Sequence, residues 1–164
     1  MTDNSKYSIL IVCTGNTCRS AMAEGILKKT ASDNNIDNLH ICSAGTAAIN
    51  GAPATDFAVV AAGHWGVDIS NHKSQSLTKE LIKNSDLILT MGSEHVERIL
   101  AVDKSMLSKM YLFKGFPEPY NMDQERVDDP IGGSLEQYNQ TFLELSEVVR
   151  KVFPQIVELS KANG

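Results

Sequence analysis

Three cysteines, Cys13, Cys18 and Cys42, are all that this chain of 164 residues carries. An odd, small number in a domain of that length is no disulfide framework, so a conspicuous cysteine is a candidate for chemistry rather than cross-linking. That usage fits a reducing cytoplasm. No apolar run approaches the roughly 20 residues that cross a bilayer, so no membrane span is expected. The opening MTDNSKYSIL has no charged-then-apolar leader with a small-residue cleavage site, so secretion is not expected either. Basic residues are outnumbered, 15 Lys and Arg against 20 Asp and Glu, for a net charge of -5. Without a basic stripe to offset that balance, a nucleic-acid partner is not expected. The histidines His40, His64, His72 and His95 are scattered without metal-ligand spacing, and each alone reads as a surface or capping residue. Neither internal repeat, low-complexity tract nor linker interrupts the chain. A single domain over residues 1–164 is expected, with 42% hydrophobic residues to fill its core.

What is present is an alternation of short apolar runs and amphipathic stretches. Ser8–Cys13 (SILIVC) reads as a strand, Thr14–Thr17 as a tight loop, and Ser20–Thr30 as a helix. Leu39–Ala44 is a second strand closed by Gly45, and Thr55–Trp65 a helix ended by Gly66. Thr78–Asn84 is a shorter helix with Ser76 as its expected cap. Leu87–Met91 is a third strand, Ser93–Val102 a helix, and Lys109–Phe113 a fourth strand. A long final helix starts near Ser134, its core stripe running through Leu135, Tyr138, Phe142, Leu145, Val149, Val152, Ile156 and Leu159. Pro154 should kink it. This order predicts an α/β fold with a parallel sheet covered by helices on both faces. Such sheets bind ligands beyond the carboxyl ends of their strands, which directs attention to the loop after the first one.

That loop is Cys13-Thr14-Gly15-Asn16-Thr17-Cys18-Arg19-Ser20. Gly15 and Asn16 tolerate positive φ, which allows successive N–H groups to turn inward as an anion nest. The next helix adds the partial positive charge of its N-terminus. Arg19 supplies a planar two-donor fork for two phosphate oxygens. The same field favours the thiolate of Cys13, and Ser20 can donate a hydrogen bond to its sulfur. One loop therefore binds a phosphate and makes its attacker. A cysteine intermediate also needs an acid for the departing group, and Asp128-Asp129-Pro130 offers two carboxyls on a stiffened loop. Asp129, directly before the proline, is the favoured one.

The octapeptide after the first strand, with the late Asp-Pro pair, resembles the low-molecular-weight protein tyrosine phosphatase family over nearly the whole chain. The resemblance implies a flavodoxin-like three-layer sandwich with a four-stranded parallel sheet, catalysis without a metal or cofactor, and a phosphorylated protein as partner. It implies Cys13 as nucleophile, Arg19 as phosphate ligand, Asp129 as acid, and Thr14, Gly15, Asn16, Thr17 and Cys18 as the rest of the binding loop. It further implies a supporting network in which Asn16 and Ser20 are tied to Ser43, after the second strand, and to His72. Cys42 reads as a packed strand residue, and Trp65 as packing on a helix face. Cys18 is either a partner for reversible pairing with Cys13 or a passive loop position. Oligomeric state leaves no mark on the sequence.

The family spans several substrates. Its arsenate-reductase relatives need a further cysteine pair after the second strand, and the stretch Gly45–Gly164 contains no cysteine at all. Phosphotyrosine members usually carry a bulky aliphatic at the position of Thr17 and aromatics after Asp-Pro. Here stand Thr17, Ile131 and Gly132, and Thr46-Ala47-Ala48 offers no aromatic wall. Thr17 matches the arginine phosphatases, whose substrate presents N–H donors that a hydroxyl can accept. Ile131 departs from the aromatic those enzymes often keep. The reading leans to phosphoarginine, with phosphotyrosine as the alternative. Two other classes use such a loop. A non-catalytic phosphate reader would need neither Cys13 nor Asp129, and a persulfide sulfur-transferase gives Asp129-Pro130 no role.

Overall fold

A strand as uniformly apolar as SILIVC requires cover on both of its faces. The computed structural model, which describes residues 6–162, supplies it. The expected domain limits, and half of the segment in which a leader was sought, reach into residues 1–5 and 163–164, outside the described residues. Strand β1 (Tyr7–Cys13) lies inside a four-stranded parallel sheet with β2 (Leu39–Gly45), β3 (Leu87–Thr90) and β4 (Met110–Leu112), in the order β2-β1-β3-β4. Ile9, Ile11 and Cys13 join the core against α1 (Arg19–Asp33), α2 (Asp56–His64) and α5 (Leu135–Ala162). Leu10 and Val12 join a second core with Ile82 of α3 (Lys79–Lys83) and Val96 and Ile99 of α4 (Ser93–Val102). These are the three layers of a flavodoxin-like fold, and each fully buried aliphatic in them contributes about 1.5–3 kcal/mol.

All nine expected strands and helices form, with ends moved by up to three residues, and a short 3-10 turn over Lys104–Lys109 precedes β4. Several ends have local causes. Helix α1 extends past Thr30 because Asn35 takes φ 56°, letting Asn35 and Ile36 donate back to the carbonyls of Ser32 and Ala31. Gly66, at φ 75°, closes α2 in the same manner. Helix α5 begins with a capping box, Gln137 N–H donating to Ser134 Oγ while Gln137 Oε1 accepts from Ser134 N–H. Its expected stripe is buried from Tyr138 to Ile156, with Leu135 and Leu159 half-buried, and the helix continues through Pro154. One cap differs from expectation. Thr78, not Ser76, caps α3, accepting from Leu81 N–H, while Ser76 pairs as an isolated bridge beside Gly45.

The sheet order places the functional loop. The connection from β1 runs to β2 on one side and that from β3 to β4 on the other, so the carboxyl end of β1 lies at the switch point where such sheets open a crevice. Cys13 is the last residue of that strand, opposite Gly45.

Candidate active site

Residues 14–18 cross from the end of β1 to the first turn of α1, and neighbouring segments brace them. Thr46 N–H donates to Cys13 O at 3.0 Å and Ala47 N–H to Thr14 O at 2.9 Å. Gly45 is required there, since a Cβ would collide with the Thr14 carbonyl and lie 3.0 Å from Asn16 N. Asn16 takes φ 58°, while Gly15 keeps a negative φ, so the asparagine alone makes the left-handed turn. That turn aims Asn16 N–H at Cys13 Sγ, 3.2 Å away. Helix α1 opens at Arg19 with Cys18 as its cap residue and no side chain closing the cap, which leaves its first N–H groups facing the loop.

The direction of the hydrogen bonds around the sulfur follows from counting donors. Asn16 Nδ2 donates to Ser20 Oγ at 2.7 Å and to Ser43 Oγ at 2.8 Å, while its Oδ1 accepts from Gln75 N–H at 2.9 Å. Ser43 donates its own hydrogen to Glu24 Oε1 at 2.6 Å. Ser20 already accepts from Asn16, so its hydrogen is left for Cys13 Sγ at 2.9 Å. His72 Nε2 lies 2.7 Å from Asn16 O and must be the donor, because a carbonyl only accepts. The structure thus brings Asn16, Ser20, Ser43 and His72 into one network; Ser43 sits within β2 rather than after it. Glu24 and Gln75 complete it and were not anticipated. Glu24 carries one sequence cue, its place one helical turn after Ser20; Gln75 carries none.

Arg19 is 2% exposed and anchored at one end: Nη1 donates to Val127 O at 2.9 Å. Val127 in turn donates its N–H to Met91 O, just past β3. Nη2 lies 3.5 Å from both Thr14 Oγ1 and Asp129 Oδ2, the outer limit of a hydrogen bond. One guanidinium nitrogen is therefore held by backbone, and the other keeps only long contacts within the site. Asp129 is held by its second oxygen, which accepts from Ile131 N–H at 3.1 Å, so Oδ2 faces Arg19. Asp128 is exposed, and no hydrogen bond or ion pair holds its carboxyl among the described residues. Cys13 and Arg19 share one loop, and Arg19 meets Asp129 from 110 positions away. A cleft of about 460 Å³ borders Asp129, bounded also by Pro130, Ile131, Gln137 and Thr141 among others, and neither Cys13 nor Arg19 lines it.

The other cysteines are placed differently. Cys42, half-buried in β2, has its thiol pushed up to about 11, chiefly by burial and then by Glu24. It is the inert strand residue expected. Cys18 Sγ faces Tyr138 Oη at 3.3 Å and Thr55 Oγ1 at 3.5 Å, tying the loop to the starts of α2 and α5. Trp65 stacks on Phe142 at 5.3 Å between ring centroids and keeps 45% of its surface exposed.

His95 is where the sequence misled most. It is fully buried, and its Nδ1 accepts Gly92 N–H at 3.0 Å, closing the first turn of α4. A surface or capping residue was expected; His95 caps, and neither its burial nor its contact with the loop was foreseen. Nδ1, as an acceptor, carries no hydrogen, so Nε2 does, and it donates to Thr14 Oγ1 at 3.0 Å. Burial pushes the imidazole down to about 4, Glu94 opposing and Arg19 assisting, so His95 is neutral at physiological pH.

A cysteine headed by an anion nest, a buried arginine fork and a carboxyl on an opposing loop, at the switch point of a flavodoxin-like sheet, define a cysteine-based phosphatase. More particularly, the chain belongs to the low molecular weight phosphotyrosine protein phosphatase family, whose family model matches residues 8–162. It is similar to the protein-arginine-phosphatase of Bacillus subtilis, 37% identical over 90% of this chain and 95% of that one. It is also similar to the low-molecular-weight protein-tyrosine-phosphatase Etp of Escherichia coli K12, 35% identical over 81% of this chain and 90% of that one. Among solved structures, a cysteine-to-serine mutant of YwlE arginine phosphatase with a phosphorylated active-site serine superposes with a TM-score of 0.82. That chain is 36% identical, with 91% of this chain and 95% of that one covered. The protein is a hydrolase of the protein-phosphatase type. No helix among the described residues is long and apolar enough to cross a membrane.

Proposed function

We propose that this protein removes phosphate from phosphoarginine on protein substrates through a phosphocysteine intermediate on Cys13. The thiolate of Cys13 attacks phosphorus while Arg19 and the loop N–H groups hold the non-bridging oxygens. Asp129 gives its proton to the departing nitrogen as the P–N bond breaks. Its carboxylate then takes a proton from the water that attacks the S–P bond, releasing phosphate and regenerating the thiolate. Ser20, its hydrogen directed at the sulfur, steadies the thiolate as attacker and as leaving group. The relative captured with a phosphorylated serine in place of its cysteine supports a covalent route of this kind.

The observation that carries the substrate choice is Thr17. It lies half-buried in the loop, and its hydroxyl has only a weak contact, 3.8 Å to Cys18 Sγ. The oxygen can therefore accept an N–H of a guanidinium, which an aliphatic at this position could not. The similarity to an arginine phosphatase agrees. Phosphotyrosine is the second reading, favoured by Ile131: 61% exposed beside Asp129, it offers an apolar face to a ring. Specificity constants on matched phosphoarginine and phosphotyrosine peptides decide between them.

Two expected results follow from these roles. Thr17→Ile strands one N–H donor of a bound guanidinium, a loss of about 1–3 kcal/mol, or roughly ten- to a hundredfold in rate. Phosphoarginine hydrolysis should fall by that factor while phosphotyrosine hydrolysis holds or rises. A ratio of specificity constants that does not move removes Thr17 from selectivity, and an unmodified protein that prefers phosphotyrosine overturns the substrate assignment. Asp129→Asn should slow hydrolysis of a poor aryl leaving group by about 10²–10⁴-fold, and the loss should shrink as leaving-group pKa falls. If Asp128→Asn follows that pattern instead, the acid is the other carboxyl.

A further inference from the structure

The mechanism leaves the buried imidazole of His95 without a task. His95 stands on α4, across the sheet end from α1, and reaches the phosphate loop from the side opposite the Asn16 network. Its ring bridges two fixed points, accepting from Gly92 N–H and donating to Thr14 Oγ1, both at 3.0 Å. The nearest competitor for the Nε2 hydrogen is Glu94 Oε1 at 3.7 Å, beyond hydrogen-bond reach, and Arg126 holds that carboxylate at 3.0 Å. Thr14 Oγ1 also faces Arg19 Nη2 at 3.5 Å. A hydroxyl that accepts from both neighbours has its own hydrogen left to donate. Thr14 is the exposed residue immediately after Cys13.

We infer that His95 is a positioning residue for phosphate binding: by donating to Thr14 Oγ1 it turns the Thr14 hydroxyl into a donor toward the phosphoryl oxygens and fixes the loop edge on which Arg19 Nη2 rests. The effect passes from α4 through Thr14 to the anion, with His95 itself touching neither substrate nor the reacting atoms. Only the neutral ring with hydrogen on Nε2 performs both tasks, since a hydrogen on Nδ1 would face Gly92 N–H. The inference rests on the loop being the phosphate site and not on which phosphorylated group is the substrate.

Side-chain geometry separates this role from simple support of α4. Asparagine can place an oxygen where Nδ1 sits and keep the cap, but it is too short to reach Thr14. Glutamine can place an amide nitrogen near Nε2, and at this third helical position it also forms a capping box. The experiment measures the inhibition constant of inorganic phosphate, kcat/KM on an aryl phosphate and the melting temperature. The variants are His95→Asn, His95→Gln, Thr14→Val and the double variant His95→Asn with Thr14→Val. Losing one buried neutral hydrogen bond should weaken phosphate binding about three- to tenfold in His95→Asn, and His95→Gln should recover most of it. Thr14→Val should weaken binding at least as much, and adding His95→Asn to it should cause no further loss. Unchanged phosphate inhibition in His95→Asn, or losses that multiply in the double variant, overturns the inference. Equal impairment of the asparagine and glutamine variants, tracking melting temperature, overturns it in favour of a purely structural histidine. If His95→Asn does not fold, Thr14→Val with unchanged phosphate inhibition is enough to overturn it. An unmodified protein that neither hydrolyses the aryl phosphate nor is inhibited by phosphate would sink the site itself, a result distinct from all of these.

Discussion

Cys13→Ser is expected to lower turnover by on the order of 10⁴–10⁶-fold while phosphate binding stays measurable. At neutral pH a serine hydroxyl is a far weaker nucleophile than a thiolate, and neither group that contacts the Cys13 sulfur would serve it as a base. Ser20 directs its hydrogen at the sulfur and so donates rather than accepts, and Asn16 N–H does the same. Those donors, the open first turn of α1 and Arg19 all remain, so the anion still binds. Steady-state hydrolysis of an aryl phosphate and phosphate inhibition, measured on the same preparation, read the two effects separately. Residual turnover within about a hundredfold of the unmodified protein would mean that the hydrolysis does not depend on the sulfur.

Arg19→Lys is expected to cost about 10²–10³-fold in kcat/KM although the charge is kept. Arg19 does two things at once. Nη1 is committed to Val127 O, which ties α1 to the acid-bearing loop, while Nη2 lies between Thr14 and Asp129. An ammonium is a single point of charge. It can take the Val127 contact or the phosphate, and it cannot span two phosphate oxygens in one plane. Phosphate affinity should fall along with kcat/KM, and the leaving-group dependence should steepen if the Asp129 loop shifts with its anchor. Near-normal kinetics in this variant would show that the nest alone binds the dianion.

The parts of the site that could be read from residues were those whose chemistry is local. Gly15 and Asn16 both looked able to turn the loop, and only Asn16 does, because its side chain is also the hub between Ser20, Ser43 and Gln75. Asp129 was preferred to Asp128 because Pro130 follows it. Its orientation, however, comes from the Ile131 N–H contact and from Arg19, neither of which spacing encodes. His95 looked like any scattered histidine, since its partner Thr14 is 81 positions away.

Apolar periodicity and turn residues determined the order of strands and helices, and the octapeptide from Cys13 to Ser20 determined the chemistry. Both depend on neighbours within a few positions, where backbone propensity and side-chain spacing act directly. Tertiary structure alone decided which side chains hold that loop in its working shape. Glu24, Gln75, His95 and the carbonyl of Val127 reach it from four other segments, brought close by sheet order and by packing on both faces of β1. Their hydrogen bonds are satisfied only in the folded state. No pattern along the chain records a contact whose strength comes from burial.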